Sequence, residues 1–143
     1  MQLAESSNSP YLVRPIGRVE SALIDREAAP KQADEGAPSA TLVFDENVRE
    51  ALDGVHVGSD MIVLTWLDRA RRDVLRAHPR GDRTRPPVGV FSTRSPDRPN
   101  PIGLHRVTIT SIDGVRLGVN HLEALDGTPI LDIKPVLGSI SGR

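Results

Sequence analysis

The sequence predicts a mainly β protein, an antiparallel barrel or sandwich of about seven short strands with a short helix. Three observations carry this. The apolar residues are chiefly Val, Leu and Ile in short runs, with only Tyr11, Phe44, Trp66 and Phe91 as aromatics; β-branched runs of this kind suit half-buried strands. Twelve glycines and twelve prolines punctuate the runs. Asp113-Gly114 stands between two alternating stretches, the strongest short-range hairpin signal in the chain. At 143 residues the chain has room for one core. Residues 1–10 read as a disordered leader and residues 11–143 as a single domain.

Element by element, Tyr11 to Ser21 alternates and reads as a first strand, with Pro15 favouring an edge or a bulge. Asp25 to Pro38 is polar and reads as a loop; it contains Pro30-Lys31-Gln32. Ser39 to Phe44 is a second strand. Asp45 to Leu52 reads as a two-turn helix, with Asp45 as N-cap and Gly54 beyond its end. Met61 to Leu67 is a continuous apolar run, expected to be central and buried. Val74 to His78 alternates and reads as another strand, followed by a loop over Pro79 to Pro87. Gly103 to Ile112 alternates strongly, and Val115 to Leu122 returns as its hairpin partner. Leu125 to Pro129 is a turn, and Ile130 to Val136 a final strand.

Composition narrows the chemistry. There is no cysteine, which excludes disulfides, thiolate zinc sites and cysteine nucleophiles. His56, His78, His105 and His121 never fall at metal-ligand spacing, so no metal is expected. No phosphate loop, dinucleotide fingerprint or nucleophile elbow occurs. No stretch has the length of a membrane span and residues 1–9 are polar, so the expected location is the cytoplasm.

The net charge of −1 conceals a sharp asymmetry. Residues 1–68 carry five basic and twelve acidic side chains, a balance of −7. Residues 69–98 carry nine arginines against three aspartates, a balance of +6, and the remainder is even at four against four. Such a block is either a footprint for a polyanion or a solvated face paired with the acidic first half. Within it, Arg94 to Pro101 packs two arginines and three prolines into eight residues. Prolines stiffen the loop, and a stiff loop presenting guanidinium groups suits an anionic or planar ligand, or serves as a rigid surface turn.

The motifs GVFSTRSPDRPNPIGL (89–104), LDGTPILDIKP (125–135) and RPIGRVES (14–21) resemble the TsaA-like family, the TrmO-type tRNA methyltransferases, and the likeness runs from Arg14 to Val136. The resemblance implies a small antiparallel β-barrel with one or two short helices, S-adenosylmethionine as cofactor, and a homodimer. It implies methylation of N6 of threonylcarbamoyladenosine beside a tRNA anticodon. Carried over by motif, the cofactor contacts are Pro30, Lys31, Gln32, Asp68, Arg69, Arg94, Leu104, Asp126, Gly127, Thr128 and Pro129. Lys31 stands where relatives commonly have Arg, and Asp68 where they often have His. The chain ends soon after Val136, the short form without the C-terminal domain of larger members. Contact with tRNA is then expected from the barrel, its dimer and the block from Arg69 to Arg98. The sequence leaves Asp68, Asp126, His105 or water as acceptor of the proton released on methylation. It also leaves open a small-molecule or different RNA acceptor, a non-enzymatic RNA-binding barrel, and a structural or dimerisation module.

Overall fold

The computed structural model describes residues 9–22 and 39–138. Among the described residues are eight strands: β1 (Gly17–Glu20), β2 (Ala40–Phe44), β3 (Asp60–Trp66), β4 (Arg76–Ala77), β5 (Val88–Gly89), β6 (Ile102–Asp113), β7 (Arg116–Val119) and β8 (Pro129–Pro135). Six of them bond in a closed antiparallel ring, β1-β2-β7-β6-β3-β8 and back to β1; β4 and β5 form a separate two-stranded ladder. Closure removes the exposed sheet edges that an open sheet would have to protect. The seam is short. β1 and β8 share only the pairs Gly17–Ile130 and Arg18–Pro129, extended by Val19 N–H to the Thr128 carbonyl at 2.9 Å.

Alternation places one face of each strand inward. Val19, Leu42, Phe44, Met61, Val63, Val107, Ile109, Leu117, Val119 and Ile130 fill the interior, all buried. Removing such side chains from water contributes about 1.5–3 kcal/mol each. Phe44 is the one aromatic among the buried residues of this core, as expected of a core built from Val, Leu and Ile. β3 lies between β6 and β8 along its length, the central position its apolar run predicts.

Several boundaries move. The first strand shrinks from Tyr11–Ser21 to Gly17–Glu20. Pro15 lacks an N–H to give a ladder, and Tyr11, Leu12 and Val13 stand exposed beside it. The expected two-turn helix is a 3-10 helix, Glu46–Leu52, and Asp45 sits at its N-cap without a side-chain capping bond. Val74–His78 contributes only the two residues of β4. Val115–Leu122 pairs only over Arg116–Val119, because the chain then turns across the barrel mouth and buries Leu122. At the hairpin, Asp113 pairs with Arg116. Gly114 takes a φ of 61°, which glycine adopts without the Cβ clash of other residues. Residues 1–8 of the predicted leader, the loop Asp25–Pro38 and residues 139–143 lie outside the described residues.

Because every neighbour in the ring is antiparallel, the strand ends sort into two sets. At one end lie the 3-10 helix Glu46–Leu52 and the 113–116 hairpin. Val48, Leu52 and Val55 there pack against the core. At the other end lie the exits of β1, β3 and β7 and the entries of β2, β6 and β8. The connections between them are residues 21–39, the long excursion 67–101, and residues 120–128.

Candidate functional site: the loop end of the barrel

All the loop segments singled out from the sequence belong to connections at this second end. The excursion carries Asp68, Arg69 and Arg94, and the 120–128 connection leads into Asp126 to Pro129. Pro30-Lys31-Gln32 belongs to the connection between β1 and β2 and lies outside the described residues.

The 120–128 connection closes the mouth of the core. Leu122 and Ala124 insert into it, buried, and His121 makes the turn with a φ of 47°. The following turn is stapled to β1 from two sides. The Gly127 N–H donates to the Val19 carbonyl at 2.7 Å, and Asp126 Oδ1 accepts from the Ser21 N–H at 3.0 Å. Thr128 is buried, and its hydroxyl donates to the Leu125 carbonyl at 2.7 Å within the turn. Asp126 and Thr128 therefore already have partners, while Gly127 is exposed and Pro129 half-buried at the start of β8.

The excursion buries Val90 and is otherwise held mainly by hydrogen bonds. Its two legs meet where Leu67 N–H reaches the Pro101 carbonyl at 2.8 Å and Arg98 N–H the Arg71 carbonyl at 3.0 Å. The Arg71 N–H donates to Asp97 Oδ1 at 2.8 Å. Arg72 donates to the Pro99 carbonyl at 2.7 Å and to Asn100 Oδ1 at 2.8 Å, with its guanidinium 5.1 Å from the Trp66 ring centre. Arg98 donates to the Thr93 and Ser95 carbonyls, both at 3.0 Å. Arg76 donates to the Pro87 carbonyl at 2.9 Å, and Arg71 forms an exposed ion pair with Asp73 at 3.0 Å. These four arginines of the basic block are thus engaged within the excursion.

Farther out, residues 78–85 form a compact tip. Pro79–Gly81 makes a 3-10 turn with Arg80 at a φ of 53°. Asp82 Oδ1 accepts from the Thr84 N–H at 2.9 Å and from its hydroxyl at 2.6 Å, which holds the Asp82 carboxyl below its usual range. Arg83 and Arg85 are exposed there.

Asp68 and Arg94 differ from Arg71, Arg72, Arg76 and Arg98. Both are exposed, and neither side chain makes a hydrogen bond or ion pair with any described residue. A carboxylate and a guanidinium are thus left for a ligand on the two legs of the excursion. Arg69 is also exposed but has a partner. Leu104 points outward from β6, 49% exposed, opposite Leu64 of β3. With Ile102 at 47% and Trp66 opposite it, these residues make an apolar strip on the outer wall below the loop end.

His105 points the other way, into the barrel. Its Nε2 lies 2.8 Å from the hydroxyl of the buried Thr65. Burial pushes its pKa down to about 4, so the ring is neutral at pH 7. Gly103 makes room for this pair, since a Cβ there would meet both the Thr65 hydroxyl and the His105 ring. Among the described residues no group of three His, Asp or Glu side chains is placed to hold a metal ion. Among them no helix is long and apolar enough to cross a membrane.

Sequence reasoning missed the roles of Arg72 and Asn100 in joining the two legs. Arg72 sits among like residues in a charge run, and nothing in one dimension shows that its partners are the carbonyl and amide around Pro99.

Fold and site together define a small closed β-barrel whose motif-bearing loops gather at one end. More particularly, the chain belongs to the TrmO N-terminal domain family: the family model described as tRNA-methyltransferase O N-terminal domain matches residues 18–140. The chain is 44% identical over 127 residues to an S-adenosyl-L-methionine-binding protein of Archaeoglobus fulgidus, covering 86% of this chain and 87% of that one. It is 43% identical over 129 residues to a protein of Methanothermobacter thermautotrophicus named "Probable S-adenosyl-L-methionine-binding protein", covering 90% and 92% of the two. A crystal structure of TrmO from Pseudomonas aeruginosa matches with a TM-score of 0.73 at 31% identity, covering 93% of this chain and 58% of that one. The chain therefore spans less than two thirds of that solved structure.

Proposed function

We propose that this protein binds S-adenosylmethionine at the loop end of the barrel and transfers its methyl group to N6 of threonylcarbamoyladenosine beside a tRNA anticodon. One observation supports this above the others. The motif-bearing connections share one end of the barrel, and Asp68 and Arg94 there lack partners among the described residues. The donor set fits the cofactor. Arg94 offers a guanidinium for a carboxylate, Asp68 a carboxylate for ribose hydroxyls or an ammonium, and Leu104 with Ile102 an apolar wall. The turn from Asp126 to Pro129 and the Gln32 loop complete the proposed site, together with Arg69 and the Pro30-Lys31 pair.

The chemistry the cofactor supplies when bound is a methyl group already activated by a sulfonium charge. What remains for the protein is alignment and exclusion of water, and orientation of reactants can be worth about 7–11 kcal/mol. Of the candidate proton acceptors, three side chains and water, Asp126 already accepts from Ser21 and His105 faces the interior. Asp68 is given to the cofactor, which leaves water to take the proton.

The partner side of the proposal is also specific. Arg83 and Arg85 at the tip of the excursion, with Arg80 between them and β4, meet tRNA phosphates, whereas Arg71, Arg72, Arg76 and Arg98 serve the excursion itself. The neighbouring outer face of Leu64 and Trp66 is the proposed homodimer contact, which places the second subunit beside the cofactor site.

Titration calorimetry with S-adenosylmethionine tests the cofactor, and absence of binding at high micromolar concentration overturns the enzyme reading. Incubation with tRNA bearing threonylcarbamoyladenosine, followed by mass spectrometry of the nucleosides, tests the acceptor. The expected result is a methylated threonylcarbamoyladenosine peak that requires both protein and cofactor. Cofactor binding without that peak points to another acceptor. For the phosphate-facing arginines, Arg83→Ala with Arg85→Ala should lower the salt slope of tRNA affinity by roughly two, about one for each phosphate no longer neutralised.

A further inference from the structure

We propose that Arg98 is a positioning residue for Arg94, and so a determinant of cofactor affinity that does not touch the cofactor. This rests on the cofactor reading above. Arg98 places one guanidinium nitrogen, Nη1, 3.0 Å from the Thr93 carbonyl and 3.0 Å from the Ser95 carbonyl. Those two carbonyls bracket Arg94 on either side. The same short segment is braced again by the Ser95 N–H to Thr93 Oγ1 at 3.1 Å and the Thr93 N–H to the Val90 carbonyl at 3.0 Å. The guanidinium of Arg98 also lies over the Phe91 ring, 6.0 Å from its centre. Its main chain is fixed by the bond from its N–H to the Arg71 carbonyl at 3.0 Å. Arg98 therefore has a held backbone, a ring under its head and two acceptors in front of it, and it is half-buried.

The outcome is a rigid backbone at position 94 whose own side chain is left exposed and without a partner among the described residues. A free guanidinium on a fixed backbone binds an anionic group without first losing loop freedom, which is how preorganisation raises affinity. Arginine suits the bracing task better than lysine. Its planar head holds direction toward two carbonyls at once while stacking on a ring, and an ammonium on a flexible stem does neither. This differs from the expectation that Arg98 meets tRNA phosphates, because its donors already serve the loop.

The test is a double-mutant cycle on S-adenosylmethionine affinity by calorimetry, with Arg98→Lys, Arg94→Ala and the combination. Arg94→Ala should weaken binding roughly 10- to 100-fold, the range for a hydrogen bond to a charged group. Arg98→Lys should weaken it by about tenfold, and the double variant should bind no more weakly than Arg94→Ala alone. Non-additivity of this kind marks residues acting through one another. If the two losses multiply, Arg98 does not act through Arg94 and the inference fails. If Arg98→Lys leaves cofactor affinity intact but lowers the salt slope of tRNA affinity by about one, Arg98 meets a phosphate and the inference fails.

A second readout uses the cofactor-free protein. Amide hydrogen exchange at Thr93 and Ser95 should quicken in Arg98→Lys and stay unchanged in Arg94→Ala. Arg98→Gln provides a second variant if Arg98→Lys does not fold. Unfolding of both would show that Arg98 holds the fold rather than the loop, and would overturn the proposal. Failure of the wild-type protein to bind S-adenosylmethionine would instead overturn the cofactor reading, which keeps the two failures distinct.

Discussion

The two ends of this barrel solve the same problem with different chemistry. At the closed end, the 3-10 helix Glu46–Leu52 lays Val48 and Leu52 against the core, with Val55 following. The nearby hairpin needs only Gly114 and Val115 to turn. At the loop end, Leu122 and Ala124 seal the core. Above that seal the excursion buries Val90 and is otherwise held by polar staples, as is the following turn: Arg72 to Pro99 and Asn100, Arg98 to Thr93 and Ser95, Asp126 to Ser21. Apolar packing is non-directional and holds an element in place without aiming it. Hydrogen bonds from a planar guanidinium fix direction. An end that has to present groups at set angles is therefore better built with staples than with a plug. Stability and ligand affinity should therefore come apart, with the interior and closed end setting the first and the excursion the second.

The largest effect on stability should come from the interior beside the hairpin. Leu117 is buried and pairs with Ile112. Leu117→Ala should cost about 2–5 kcal/mol, the range for deleting a buried leucine side chain and leaving a cavity. Urea unfolding measures it, and cofactor affinity of the folded fraction should be unchanged. A cofactor affinity that falls in step with stability would break the separation.

The second effect is a pH dependence. His105 lies in the interior against Thr65, its pKa lowered to about 4 by burial from an ordinary 6.5. As pH falls, the unfolded chain takes the proton first. The stability that a neutral His105 contributes is therefore complete above pH 6.5 and lost progressively as pH falls from 6.5 to about 4. Carboxylates held low by partners, Glu20 by Arg116 and Glu46 by Arg49, weaken only at more acid pH. Denaturant midpoints between pH 7 and 5 thus report His105, and His105→Gln should flatten them. An unchanged slope in that variant would remove His105 from the account.

The third effect is on binding. Arg94→Ala should weaken the proposed cofactor by about 1.5–3 kcal/mol with no shift in melting temperature, because the side chain makes no hydrogen bond or ion pair with a described residue. A melting shift of several degrees would show that Arg94 is structural, and would erase the difference between the ends.

How far the sequence reveals each end follows the same division. The apolar alternation of Gly103–Ile112, the run Met61–Leu67 and the Asp113-Gly114 turn locate β6, β3 and the hairpin, because strand period and turn chemistry are written in neighbouring residues. The motif likeness also marks the loop end, and antiparallel connectivity brings those connections to one side. What the chain does not reveal locally is the division of labour among its arginines. Arg72, Arg83, Arg94 and Arg98 look alike in sequence. They differ only in which carbonyls the fold brings within reach. For the same reason Val74–His78 looks like a strand of the barrel and forms only a two-residue ladder outside it, since its alternation has no core face to meet. Thr128 shows the converse. It is buried with its hydroxyl on the Leu125 carbonyl, a placement that comes from the fold of the turn and has no signal in the neighbouring residues.

The smallest effect sharpens the contrast most directly, because it uses the same residue type on the other end. Arg49 donates through Nε and Nη2 to both oxygens of Glu46, each at 2.9 Å. By geometry this fork resembles that of Arg72. Its setting is different: both partners are exposed, and they lie within one turn of the same 3-10 helix. Water and salt screen such a pair, and it joins no segments that would otherwise separate. Arg72 instead spans the two legs of the excursion and stacks on Trp66. Arg49→Ala should leave melting temperature and cofactor affinity unchanged within error, while Arg72→Ala should lower affinity and raise amide exchange at Asn100. Equal and small effects from both would mean that the Arg72 staple is dispensable and that the other bonds between the two legs hold the excursion. A clear loss from Arg49→Ala would mean that the closed end, too, depends on a polar staple.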